Sequence, residues 1–371
     1  MISWKAPPAA AAALLIAAGL TAAGLASPAA AAARGDFRTV ALPFFWPSNT
    51  LSDIAAASSD SVWISGHQGE WYIPTGPVDG KTIPGNPVVR RWQNGAWVEY
   101  DLPNLRSDGR IEDVDALGPE DVWINGTRYL GTGGSEPYMA HFTGSGFTEV
   151  ALPATAADGG AALQADDSGI WLTTAADIYR WTGTTWAHVA ARPDVYQHVS
   201  SIRAADDIWV LGAATITETE LVASHWDGRT WQRVPVRQPP VEAVTLLDMI
   251  ALSPSDVWAV GSRYQSPATP VILHWDGTSW TDTAVPPGLD ALTRIVKGEN
   301  GTLWALGHSK DEPAKPGLIR YSGGTWERVP TTAVPNRIDF KARALAVVPG
   351  TGALWTLGTG VIGGPVVLTD G

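Results

Sequence analysis

A short apolar segment ending in glycine, typified by Asp256–Gly261 (DVWAVG), recurs along the chain and limits what it can fold into. Its tryptophan falls at Trp63, Trp123, Trp171, Trp209, Trp258, Trp304 and Trp355, at intervals of 60, 48, 38, 49, 46 and 51 residues. That loose period of about 40 to 50 residues marks propeller blades rather than helical solenoids. A second aromatic follows at Trp92, Phe142, Trp181, Trp226, Trp275 and Tyr321. A third comes about five residues later, at Trp97, Phe147, Trp186, Trp231, Trp280 and Trp326. Between the two lie turn pairs such as Asn94-Gly95, Asp227-Gly228 and Gly323-Gly324, several of which suit two-residue hairpin loops that need positive φ.

Each unit therefore reads as four short strands: A, an apolar run; B, the VWxxG segment; C, ending on the second aromatic; and D, running from the third to a proline. β-branched and aromatic residues fill the strands, turn formers fill the gaps, and helical periodicity is missing. The pattern predicts an all-β, seven-bladed β-propeller of four-stranded antiparallel blades. The last unit has no strand D before Gly371, while Phe37–Pro43 (FRTVALP) matches the strand D segments FTEVALP and WVEYDLP. Residues 37–43 are thus expected to complete the seventh blade, closing the ring and removing its exposed edges.

Ahead of this strand, Lys5, the apolar run Ala9–Leu25 and Ala31-Ala32-Ala33 read as a secretory signal over residues 1–33, cleaved before Arg34. The expected product is a secreted, extracellular, monomeric single domain over 34–371, with no membrane insertion after cleavage. The chain holds no cysteine, so neither disulfides nor a lipidated cysteine can anchor or staple it. Removing Lys5 with the leader leaves 24 basic against 37 acidic residues, net −13. That balance argues against nucleic acid, whose backbone needs clustered Lys and Arg. Glycans, cell-envelope polymers, cations or another secreted protein remain as partners.

Nearly all the length variation falls on the face that bears the B–C loops and the D–A loops between blades, the longest insertion being 67–87 in blade one, where Pro and Gly predict an ordered surface loop without helix. Loops of uneven length on a regular scaffold are where binding usually resides. Sixteen of the 19 tryptophans belong to the repeat, and one, Trp4, to the leader; only Trp46 and Trp71 stand outside, both at blade one. With Tyr72, His67 and Glu70 they form the leading candidate ligand site, for sugar stacking or a peptide clamp, or else a private core for the loop. Tyr129, Tyr264 and His308, on the other variable loops, join the candidate set. Asp53, Asp113 and Asp248 align at the start of strand A, with about Ala161, Ser200, Thr293 and Arg343 at the corresponding places elsewhere. A ring of such carboxylates at the channel mouth could hold Ca2+, which takes about 6 to 8 oxygens; alternatively each accepts backbone N–H bonds at the start of its own strand.

His141, His225 and His274 precede the second aromatic in different blades and are predicted not to converge on a metal. Arg34-Gly35-Asp36 matches an adhesion tripeptide but sits against the cleavage site. No GxSxG elbow, HExxH, Walker loop or GxGxxG beside a helix occurs. No cofactor and no catalytic residue is assigned, although loop carboxylates such as Glu70, Glu218, Glu220 and Glu312 leave a polysaccharide lyase or hydrolase open.

The units resemble the repeats of bacterial secreted β-propellers of the kelch-like and tectonin-like kind, over residues 37–371. Gly169–Val189 (GIWLTTAADIYRWTGTTWAHV) is the most similar to a tectonin repeat, a resemblance that implies glycan or bacterial-surface binding. The other blades depart from it in their longer B–C loops and HWDG turns, and the single glycines Gly66, Gly126, Gly212, Gly261, Gly307 and Gly358 differ from the double glycine of kelch strands.

Overall fold

The computed structural model describes residues 35–371, apart from 78, 132–133, 157–160, 216–219, 237–242, 264–266 and 361–363. The leader, Tyr264 and Glu218 lie outside the described residues. Among the described residues no helix is long and apolar enough to cross a membrane.

Seven four-stranded antiparallel sheets form the blades, each running A-B-C-D. Blade one comprises Thr50–Ser58, Ser61–Gln68, Asn86–Gln93 and Ala96–Glu99. Blade two comprises Gly109–Gly118, Asp121–Tyr129, Ser135–Phe142 and Phe147–Glu149. Blades three to six follow, with A strands at Ala161–Asp166, Tyr196–Ala204, Val244–Ser253 and Leu289–Lys297. Blade seven takes Lys341–Val347, Leu354–Thr359 and Val366–Thr369 from the C-terminal end and Arg38–Val40 from the other. That closing strand pairs with Val367–Thr369, and Phe37 is buried in the core between blades six and seven. Gly35 is buried too, with its N–H on the Asp370 carboxylate and Pro330 so close that no side chain fits. Of the adhesion-like tripeptide, Gly35 is therefore packed into the ring, while the exposed Asp36 accepts from Thr332 Oγ1.

The repeating aromatics join each blade to the next. Trp63 packs on Phe142 and Phe147, Trp123 on Trp181 and Trp186, Trp209 on Trp275 and Trp280, Trp258 on Tyr321 and Trp326. Trp355 meets Trp92 and Trp97 across the closing seam. Edge-on pairs at these spacings contribute beyond their area burial, about 0.5–1.5 kcal/mol each. The three histidines cap the same rings. His141, His225 and His274 stack on Trp123, Trp209 and Trp258 at 4.1, 4.3 and 3.7 Å. Each also bonds the aspartate that opens strand B: Asp121, Asp207 and Asp256. They are a structural repeat, one per blade.

The strand B glycine has a steric cause. In blades one, two, five, six and seven strand A bulges just opposite it. There the strand A carbonyl comes within 2.0–2.4 Å of where a Cβ would stand on Gly66, Gly126, Gly261, Gly307 or Gly358. Blade three has no bulge, and it carries Thr174 at that place. The bulge and the glycine travel together because only a residue without Cβ admits the kinked neighbour.

Two expectations need adjusting. Only Asn94-Gly95 and Gly323-Gly324 are two-residue hairpins with positive φ throughout; Asp227-Gly228 opens a four-residue loop between Trp226 and Trp231, held by Asp227 Oδ1 on two backbone N–H groups. The blade-one insertion is not an irregular loop: Trp71–Pro74 and Gly80–Ile83 pair as a hairpin.

Candidate functional site

The candidate residues separate into three zones on and below the face bearing the B–C loops: an aromatic platform, a polar mouth and the channel. The platform stands on blade one. Gly69 N–H donates to Pro47 O and Glu70 N–H to Ser48 O, which ties the B–C insertion to the loop 44–49. Trp46 N–H donates to Gln68 Oε1, and Asn49 Nδ2 to Trp46 O, so the Trp46 backbone is fixed. Its ring meets Phe44 edge-on at 5.8 Å. Phe44 is 73% exposed, Trp46 60%, Trp71 56% and Tyr72 62%. A private core for the loop would bury these rings, so that alternative does not hold. Tyr72 lies across Gly80, where any side chain would collide with it.

The mouth gathers residues from four consecutive blades. His67 Nε2 is 3.9 Å from Glu70, and Arg110 sits 2.7 Å from Glu112 and over the Tyr129 ring at 5.8 Å. His308 contacts Asp290 at 3.6 Å and Ala342 O at 3.3 Å. Burial pulls the His67 pKa down; Glu70 opposes the shift, while Arg110 and Arg343 reinforce it. Burial, then Lys341, does the same to His308. Both imidazoles are therefore neutral at pH 7, and His67 Nδ1 is buried with no hydrogen-bond partner. His67, Glu70 and Tyr129 thus come together at one rim, and His308 at the adjoining one.

The channel, about 510 Å3, lies deeper between the A strands. Asp53, Asp113 and Asp248 line it at equivalent register positions, each opposite the second residue after the strand B tryptophan. The equivalents expected elsewhere are each displaced by one. Pairing with strand B puts Ala162, Val199, Arg294 and Ala344 at this level, not Ala161, Ser200, Thr293 and Arg343. The correction matters chemically, because Arg294 enters the carboxylate ring. Its guanidinium is 3.5 Å from Asp53. Burial works against its charge, but Asp53, Asp248, Asp113 and Asp115 outweigh burial and push its pKa up. Burial raises Asp113 to about 7, with Asp53 adding to the shift and Arg294 opposing it; burial also raises Asp115 and Asp248.

The ring residues also fasten each blade to the next. Val114 N–H donates to Asp53 (3.2 Å), Ala165 N–H to Asp115 (2.9 Å) and Ile202 N–H to Gln164 (3.0 Å). Ala251 N–H donates to Ser201 (2.9 Å) and Ile295 N–H to Asp248 (2.8 Å). Asp53 and Asp248 therefore accept backbone N–H bonds across to the following blade; Asp248 adds one from its own strand, Met249. Oxygens engaged this way and paired with a guanidinium leave few ligands for Ca2+. Among the described residues no group of three or more His, Asp or Glu side chains is arranged to hold a metal ion. Arg110, Glu112, Arg294 and Lys341 were not foreseen, whereas Arg343 was expected at the mouth; the glycine three residues after the strand B tryptophan is the sequence signal that marks the bulges at Glu112 and Arg343.

No family model matches the chain, and no curated protein matches it. Solved structures do. YCF48 bound to D1 peptide is similar with a TM-score of 0.56 at 15% identity, over 90% of this chain and 99% of that one. The fucose-specific lectin from Aleuria aurantia gives 0.43 at 12% over 79% and 99%, and the SapL1 lectin with α-methyl fucoside 0.44 at 14% over 79% and 98%. At these identities the likeness concerns the propeller fold.

Proposed function

We propose that this protein is an exported, non-catalytic binding propeller that takes a carbohydrate or cell-envelope polymer on the platform of blade one. The observation that carries the reading is the set of four rings on blade one, Phe44 against Trp46 on one loop and Trp71 and Tyr72 on the hairpin tied to it, each more than half exposed. Soluble proteins rarely leave so many large rings uncovered without a partner to cover them. The rings are also held in advance: the Trp46 loop by hydrogen bonds, the Trp71 strand by its hairpin. A preset aromatic surface loses little side-chain entropy on binding, and its faces suit the apolar faces of sugar rings. The polar rim of His67, Glu70 and Tyr129 supplies donors and acceptors for hydroxyl groups beside it. The leader-like residues 1–33 support export.

The test is a binding titration of the processed chain against soluble polysaccharides and cell-wall fragments, with Trp46→Ala and Trp71→Ala as controls. Removing a stacked ring is expected to weaken a polymer that binds by about fivefold or more, since such contacts are worth about 1–3 kcal/mol. Both variants should unfold at the wild-type midpoint, because neither ring is part of the core. Unchanged affinity in both variants would reject the platform.

A further inference from the structure

The charge at the mouth points to the kind of glycan, an inference that rests on the carbohydrate reading above: we propose that the ligand is an anionic, carboxylate-bearing polysaccharide. The chain as a whole is strongly acidic, with a formal net charge of −12. Against that background Lys341 and Arg343 stand exposed together on strand A of blade seven. Among the described residues neither has a carboxylate within ion-pair distance. Of the other charges around them, Arg110 pairs with Glu112, while Glu70 and Asp290 stand beside the neutral rings of His67 and His308.

Arg343 owes its place to the fold. It is the bulged residue between Ala342 and Ala344, left out of the pairing with strand B. Bulges re-aim a side chain and recur next to functional sites. The same bulge in the other blades puts Ser52, Glu112, Leu247 and Thr293 at the corresponding positions, and Glu112 is neutralised by Arg110. Arg343 is therefore the one unpaired cation of that set. Its field reaches His67, and that of Lys341 reaches His308. His67 begins the segment that runs through Glu70 to Trp71, so the cations lie on the same face of the ring as the aromatic platform, one blade away. A polymer whose sugar rings stack on Trp46 and Trp71 would present its neighbouring residues to Lys341 and Arg343. A carboxylate on those residues finds two unpaired donors there, and a planar guanidinium binds it through two parallel N–H bonds. The acidic surface elsewhere repels such a polymer, which confines it to this side of the mouth.

The experiment compares polygalacturonate, its methyl ester and dextran sulfate by calorimetric titration of the full processed chain, at about 20 and 300 mM salt. The acid form is expected to bind about tenfold tighter than the ester at low salt, each exposed cation supplying a few-fold, with the gap narrowing at high salt. Lys341→Gln with Arg343→Gln should erase the gap while leaving ester affinity within about twofold. Trp71→Ala should weaken acid and ester alike. A preference for dextran sulfate that the double variant abolishes would keep the anionic class and reassign the group to a sulfate ester. Equal affinity for acid and ester, or a double variant that binds the acid as wild type does, overturns the anionic assignment and leaves the glycan reading intact. Failure of every polymer to bind overturns both.

Discussion

Replacing Asp113 by asparagine removes a carboxyl group from the most crowded part of the channel while keeping its size and most of its hydrogen-bonding capacity. In the folded chain burial raises that carboxyl to about 7, against about 3.9 in an unfolded chain. Between those values the native state holds a proton that the unfolded state has released. A group of this kind stabilises most below its unfolded pKa, and the contribution is lost as pH rises through the folded one. Three units at about 1.4 kcal/mol each place the whole loss near 4 kcal/mol. About 2 kcal/mol of it falls between pH 5 and pH 7, and the loss levels off by about pH 8. Asp115 and Asp248, raised by the same burial, steepen the wild-type decline further. Asp113→Asn cannot ionise, so its advantage over wild type should grow by about 3 kcal/mol between pH 5 and pH 8. Urea unfolding followed by tryptophan fluorescence at the two pH values reads that difference directly. Parallel pH profiles for the two proteins, or a variant less stable than wild type at pH 8, would refute the account of the channel as a desolvated acid cluster held by Arg294.

Two further predictions concern the repeat. Gly126→Ala brings a methyl group against the Arg110 carbonyl, which stands 2.1 Å from the Cβ position, and should cost about 1–3 kcal/mol of overpacking or more, read from denaturation midpoints. Trp123→Ala removes a fully buried ring that meets both Trp181 and Trp186 and should lose about 3–5 kcal/mol, measured by the same unfolding curves; a loss below about 1 kcal/mol would deny the tryptophans their blade-joining role.

The sequence by itself determined the architecture. A propeller blade is a local object: its strand lengths, its turn residues and the aromatic that meets the next blade are written within one unit, so seven imperfect copies suffice to announce seven blades. The match of Phe37–Pro43 to other D strands even disclosed that the last blade is shared between the chain's two ends. The same locality explains why Trp46 and Trp71 could be singled out, since they were the tryptophans outside the leader that the repeat did not use. Tertiary structure alone decided what faces the axis. Residues that ring the channel come from seven segments far apart in the chain, and pairing with strand B decides which residue of each faces the axis. That pairing puts Arg294, not Thr293, among the carboxylates and leaves Arg343, a bulged residue, outside the ladder at the mouth. Counting along the sequence cannot find such a kink directly, because a bulge is a property of two paired strands. Its only trace is the glycine on the facing strand, present wherever a carbonyl approaches too closely for any other residue.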